Sequence, residues 1–247
     1  AVGFDGVEIP VFDASSPAHY RRLGQILDDL GLERTAITIL PDEQHNAISS
    51  VAAHRQGAIA HLKRVVECAH ELGSSMLAGP YFQVLAQFTG ERPSETELEH
   101  AAEVHRVIVP IARDAGLVCA LEPLNRFEAH LLNTVEQSVH YAKRVNDPDF
   151  GILYDTFHAN IEEKDPVAAL KQLHAAGSLR HIHISENDRG TPGRGHARIR
   201  ETIQTLKALD YDGWLTIEAF GRAVPELAAA TRVWRDFFPD PEQVYSE

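Results

Sequence analysis

Cysteine is nearly absent from this chain: only Cys68 and Cys119 occur among its 247 residues. Two isolated thiols with no CxxC pair exclude a disulfide framework and a thiol-based zinc or redox motif. Both fall inside a helix or strand pattern and are expected as small buried apolar residues. No apolar run approaches the roughly 18 to 20 residues that cross a bilayer, and no charged start followed by an apolar core marks a secretion signal. A soluble cytoplasmic protein without a membrane partner is the expectation. Basic charge is scarce too, with 23 Lys and Arg against 36 Asp and Glu, a formal charge of −13. That balance disfavours nucleic acid, whose phosphates want a basic face. Glycine-rich phosphate loops are missing after every strand pattern; GTPGRG, from Gly190 to Gly195, has neither the spacing nor the lysine. The only methionine is Met76. Residues 1–9, AVGFDGVEI, read as a helix end stopped by Gly3 and then a strand ending at Ile9. A preceding strand and most of a helix are therefore expected to be missing from this chain.

What is present alternates. Ser16 and Pro17 open a helix whose apolar face is Leu23, Ile26, Leu27 and Leu30, with Gly31 as its stop. Strand patterns follow at Thr35 to Leu40 and Ser75 to Ala78, separated by a helix carrying Ile59, Leu62, Val65, Val66, Ala69 and Leu72. The polar and aromatic connection from Tyr81 to Arg92 is a candidate cover over a site. Ser94 with Glu97, and Thr134 with Gln137, are capping boxes. Pro110 should kink or break the helix it lies in. Asp165 and Pro166 start the next helix, lined by Leu170 and Leu173; Ile199, Ile203 and Leu206 line another, and a last helix runs from about Pro225 to Phe238. Seven strands alternating with seven helices over a single domain, residues 1–247, fit a (β/α)8 TIM barrel lacking its first β/α unit. A doubly wound open sheet is the alternative.

The most informative stretch is LVCALEPLNRFE, Leu117 to Glu128. A short, nearly continuous apolar run, as in a strand covered on both faces, ends at Glu122, and Pro123 prevents the ladder from continuing. The same design recurs at Asp155, His183 and Glu218, separated by 33, 28 and 35 residues. In a closed parallel barrel such strand ends converge on one mouth. Three carboxylates and one imidazole make an oxygen-rich set suited to Mn²⁺, Mg²⁺ or Co²⁺ rather than a closed tetrahedral zinc site. Glu128, His158 and Arg189 lie just beyond those ends and can hydrogen-bond a polyol. The remaining histidines, mostly on helix patterns, are expected at the surface.

The segments LEPLNRFE, YDTFHANIEE, HIHISENDRGTPGRGH and LTIEAF resemble the motifs of the xylose-isomerase-like sugar isomerase and epimerase superfamily. Within it they are similar to ketose 3-epimerases of the D-tagatose 3-epimerase and D-psicose (allulose) 3-epimerase type. The resemblance spans nearly the whole chain and implies Glu122, Asp155, His183 and Glu218 as metal ligands, commonly for Mn²⁺. It implies Glu128, His158 and Arg189 as sugar contacts and leaves His181, the other member of the HxH pair, outside the ligand set. It also implies a homo-oligomer, dimer or tetramer, as in many relatives. DTFH departs from the DTHH of some epimerases, which leaves substrate preference open. The implied chemistry is inversion of C3 of a free ketose through an enediolate, with Glu122 and Glu218 as base and acid in turn. Aldose-ketose isomerisation, hydroxypyruvate- or xylose-isomerase-like, would use the same groups. A metal phosphodiesterase similar to endonuclease IV, and a barrel that binds sugar without reacting, are the more distant readings.

Overall fold

The computed structural model describes residues 3–240 together with Glu242 and Val244. Seven strands form one sheet in chain order: β1 (Gly6–Pro10), β2 (Glu33–Ile37), β3 (Met76–Gly79), β4 (Val118–Leu121), β5 (Phe150–Asp155), β6 (Leu179–Ile184) and β7 (Leu215–Ile217). Each neighbouring pair is parallel. Parallel neighbours need crossovers, and helices supply them. These are α1 (Pro17–Asp29), α2 (Ala52–Leu72), α3 (Glu95–Asp114), α4 (Val135–Val145), α5 (Thr156–Glu162), α6 (Pro166–Ala175), α7 (Ile199–Ala208) and α8 (Pro225–Ala230). The architecture is the expected α/β barrel with seven strands, nearly closed. β1 and β7 form the two ends of the sheet, near enough that a Cβ on Gly6 would sit 2.5 Å from the Trp214 ring. The helix end expected before Gly3 falls partly on residues outside those described.

The core explains why these segments are strands. Every residue of β3 and β5 is buried, the pattern of a strand covered on both sides. Between strands and helices lies a layer that includes Leu62, Val65, Leu72, Ile108, Leu121, Ile152 and Leu170. Cys68 and Cys119 belong to it as free, buried thiols. Both expected capping boxes form, Ser94 with Glu97 and Thr134 with Gln137. Each such cap stabilises its helix by about 1 kcal/mol.

Several expectations need correction. Ile26 and Leu30 are 54% and 65% exposed, because α1 rests on α2 through Tyr20, Gly24 and Leu27, a face rotated from the one its leucines suggested. Gly24 is what lets the helices meet, since a Cβ there would lie 2.6 Å from the Leu72 carbonyl oxygen. Ile203 of α7 is likewise exposed. Pro110 does not split α3, which runs unbroken from Glu95 to Asp114; proline removes one rung of the ladder, and the helix's buried face holds it through that loss. An unforeseen short helix, α5, begins directly at the end of β5. The helix that opens at Pro225 ends at Ala230 rather than Phe238. In the Tyr81 to Arg92 connection, Tyr81 and Phe82 are core residues and Phe88 is exposed, while Leu85 lines the central cleft.

Candidate active site

Strand register assembles the cluster. β5 and β6 pair through Ile152 with Leu179 and then through Leu153 with His181, a one-residue slip that leaves Arg180 unmatched. Such a bulge re-aims every later side chain. Beyond it, Asp155 pairs with His183, whereas an unshifted ladder would have offered Ile182. Gly151 permits the slip, because a Cβ there would run into the Ser178 carbonyl oxygen and the Arg180 side chain. His183 in turn pairs with Thr216 on β7, two residues before Glu218 on the same face. The strand therefore continues through His183 to Ile184, slightly past the end expected from sequence.

Glu122, Asp155, His183 and Glu218 come together, with one ligand-capable atom of each lying within 4.8 Å of all the others. Glu122, Asp155 and His183 are buried, and Glu218 is partly open to the cleft. His183 Nδ1 is buried with no hydrogen-bond partner and lies 3.6 Å from Glu218 Oε1. One imidazole nitrogen grouped with three carboxylates is a donor set that fits a hard divalent cation. Burial pushes Glu122 well above the ordinary carboxylate range, with Glu218 and Asp155 adding repulsion against the relief from His183 and Arg189. Burial works to lower His183, but Glu8, Glu218 and Glu122 outweigh it and push that imidazole up to about 10.

Arg189 and His158 stand at the same cluster, and Glu128 stands beside it. Arg189 Nη1 donates to Asp155 Oδ2 at 3.0 Å, to Ser185 Oγ at 2.8 Å and to Glu218 Oε2. Its guanidinium lies over the Phe157 ring, 3.8 Å from the centroid, and 5.1 Å from that of Phe220. Although burial works against the charge, Glu218 and Asp155 hold Arg189 firmly cationic. The residue itself takes a left-handed backbone, φ 65°, a conformation tolerated off glycine where surrounding contacts over-determine it. The backbone N–H of Asn125 donates to His158 Nδ1 at 2.9 Å, so the neutral ring carries its proton on Nε2, 3.5 Å from Glu122 Oε1. Burial lowers the His158 pKa to about 3, which keeps the ring neutral. Glu128 takes a 2.8 Å bond from Asn125 Nδ2 and lines the cleft. That cleft measures about 1100 Å³ and is bordered by Phe4, Phe12, Trp214 and Phe220 as well as by Glu122, His158, Arg189 and Glu218.

One residue escaped the sequence reading. Glu8 lies inside the barrel and bonds both histidines of the HxH pair: Oε1 to His183 Nε2 at 2.7 Å and Oε2 to His181 Nε2 at 2.9 Å. The only signal was a lone carboxylate flanked by Val7 and Ile9 in a short strand. Phe157, the departure in DTFH, turns out to be the stacking partner of Arg189. His61 and His105 correct a further expectation, being buried structural residues instead of surface ones.

The mouth of this nearly closed parallel barrel gathers carboxylates, an imidazole and an arginine around an open cleft. The chain belongs to the xylose isomerase-like TIM barrel family, whose model matches residues 1–238. It is similar to a probable ketose 3-epimerase of Synechocystis sp., 35% identical over 242 residues that cover 97% of this chain and 82% of the relative. The ketose 3-epimerase of Arthrobacter globiformis is 31% identical over 244 residues, covering 98% of this chain and 83% of its own. Among solved structures, D-psicose 3-epimerase from Clostridium cellulolyticum H10, determined with D-tagatose, superposes with a TM-score of 0.88 at 26% identity, covering 99% of this chain and 85% of that one.

Proposed function

We propose that this chain is a divalent-metal-dependent epimerase that inverts C3 of a free ketose. The observation that carries the reading is the convergence of Glu122, Asp155, His183 and Glu218 around the unpartnered Nδ1 of His183. These four would hold the ion, Mn²⁺ by preference, with Mg²⁺ or Co²⁺ as substitutes. The relatives named ketose 3-epimerase supply the substrate class. A bound divalent ion would polarise the ketose carbonyl and stabilise the enediolate left when the neighbouring carbon loses its proton.

The chain's own residues supply the rest. Inversion needs a proton removed from one face of C3 and one delivered to the other. Glu122 follows β4 and Glu218 follows β7, so two carboxylates enter the cleft from strands three apart in the sheet. Glu122 and Glu218 act as base and acid in turn, and the roles exchange in the reverse direction. His158 Nε2–H and Arg189 donate to the substrate oxygens, and Glu128 accepts from a hydroxyl further out. The aromatic rim of the cleft keeps water from the reacting carbon.

The deciding experiment is incubation with D-fructose, D-psicose and D-tagatose in heavy water with Mn²⁺, followed by location of the label. Deuterium at C3 together with the C3 epimer is the expected result. Label confined to C1 with an aldose product would overturn the reading in favour of aldose-ketose isomerisation. Activity should vanish on chelation and return with Mn²⁺.

A further inference from the structure

Glu8 is a largely buried carboxylate that the proposed chemistry leaves without a task. It projects from the middle of β1, and its side chain is only 7% exposed. A carboxylate pulled out of water costs free energy unless donors surround it. Glu8 has three: Oε1 takes a 2.7 Å bond from His183 Nε2, and Oε2 takes bonds of 2.9 Å from His181 Nε2 and 2.8 Å from Thr35 Oγ1. Thr35 is its register partner on β2, so the carboxylate's angle is fixed by the sheet itself.

A carboxylate so surrounded acts only as an acceptor. In the neutral ring that ligation requires, the single proton of His183 then sits on Nε2, as does that of His181, and for His183 that leaves Nδ1 on the side of Glu122, Asp155 and Glu218. Nδ1 of both rings is buried and unpartnered, which is the counterpart expected of that assignment. The two rings meet edge to face, centroids 5.0 Å apart, so His181 also blocks rotation of His183 from behind.

We propose that Glu8 is a positioning residue for the metal centre: by accepting the Nε2–H of His183 it fixes which nitrogen is offered to the ion and the direction in which it points. The inference rests on the metal-dependent reading above and deepens it. A ring free to flip would present Nδ1 or Nε2 at random, and the ion would have to select the competent orientation at the expense of affinity. Carboxylates behind histidine ligands also raise their basicity, and losing one weakens metal binding by about ten- to a hundredfold.

The test compares wild type with Glu8→Gln and Glu8→Ala, following free Mn²⁺ by electron paramagnetic resonance. Folding is verified by circular dichroism. Glu8→Gln, nearly isosteric, should weaken Mn²⁺ about ten- to a hundredfold, and Glu8→Ala at least as much. A second measurement needs no variant. In ¹⁵N-histidine-labelled wild type loaded with Mg²⁺, His183 should carry its proton on Nε2, with a low-field resonance typical of a bond to a carboxylate. Folded Glu8→Gln binding Mn²⁺ within threefold of wild type would overturn the inference, as would a His183 proton on Nδ1. Wild type that binds neither ion would overturn the proposed function and this inference together, whereas metal binding indifferent to Glu8 would sink this inference alone.

Discussion

Arg189 Nη1 lies between Asp155 and Glu218 and hydrogen-bonds both carboxylates at once. Two of the four groups proposed as metal ligands therefore share a cationic partner supplied by the chain. The arginine neutralises charge that would otherwise repel across a buried cluster. Its second nitrogen, Nη2, lies 3.2 Å from His158 Nε2, so the two donors stand side by side.

Removing that guanidinium should be felt most when no ion is bound. Breaking one partner from a buried charged pair costs about 3 to 5 kcal/mol. Arg189→Ala is expected to lower the melting temperature strongly in the presence of a chelator and much less with saturating Mn²⁺. Differential scanning calorimetry under the two conditions checks this; an equal loss in both would show that Arg189 does not share charge with the ion.

Glu218→Gln keeps an oxygen beside His183 but removes the proton acceptor proposed for C3. Turnover of the ketose should fall by about a hundred- to ten-thousandfold, while sugar binding measured by calorimetry stays within an order of magnitude. Activity close to wild type would refute an acid-base role for this residue.

The buried His105 sets a pH dependence that has nothing to do with the cleft. Its Nδ1 lies 2.7 Å from the Tyr141 hydroxyl and its Nε2 3.3 Å from the Tyr81 carbonyl oxygen. Burial lowers its pKa from 6.5 to about 4, against slight support from Tyr81. Between those two values the unfolded chain takes up a proton that the folded chain refuses, so stability is complete above pH 6.5 and falls as pH drops toward 4. The full loss is of order 3 kcal/mol. Urea unfolding of wild type and His105→Gln across pH 4 to 7 should show the variant lacking that part of the slope.

Fold and cluster were legible in the sequence to different depths. The four strand-end residues stand out because a polar group directly after an apolar run is a one-dimensional signal, and it survives without knowledge of pairing. The capping boxes of α3 and α4 are equally local and form as expected. The bulge between β5 and β6 is not written locally: Gly151 reads as an ordinary small residue until the Ser178 carbonyl oxygen is seen against it. Glu8 was invisible for a related reason, since its partners His181 and His183 lie 173 and 175 residues away. Helix faces were misjudged where burial depends on a neighbour, as with Ile26 and Leu30 on α1, since periodicity names an apolar stripe but not what it touches.

Asp155 closes β5 and at the same time begins α5, its Oδ1 accepting the Phe157 backbone N–H at 2.6 Å. With Oδ1 engaged by the backbone and Oδ2 by Arg189, the angle of the Asp155 carboxylate is set from both sides. It follows that any tilt of α5 would drag the carboxylate along with His158 and Phe157, which ride on the same short helix. Strand, helix and cluster are in this way hinged on one side chain.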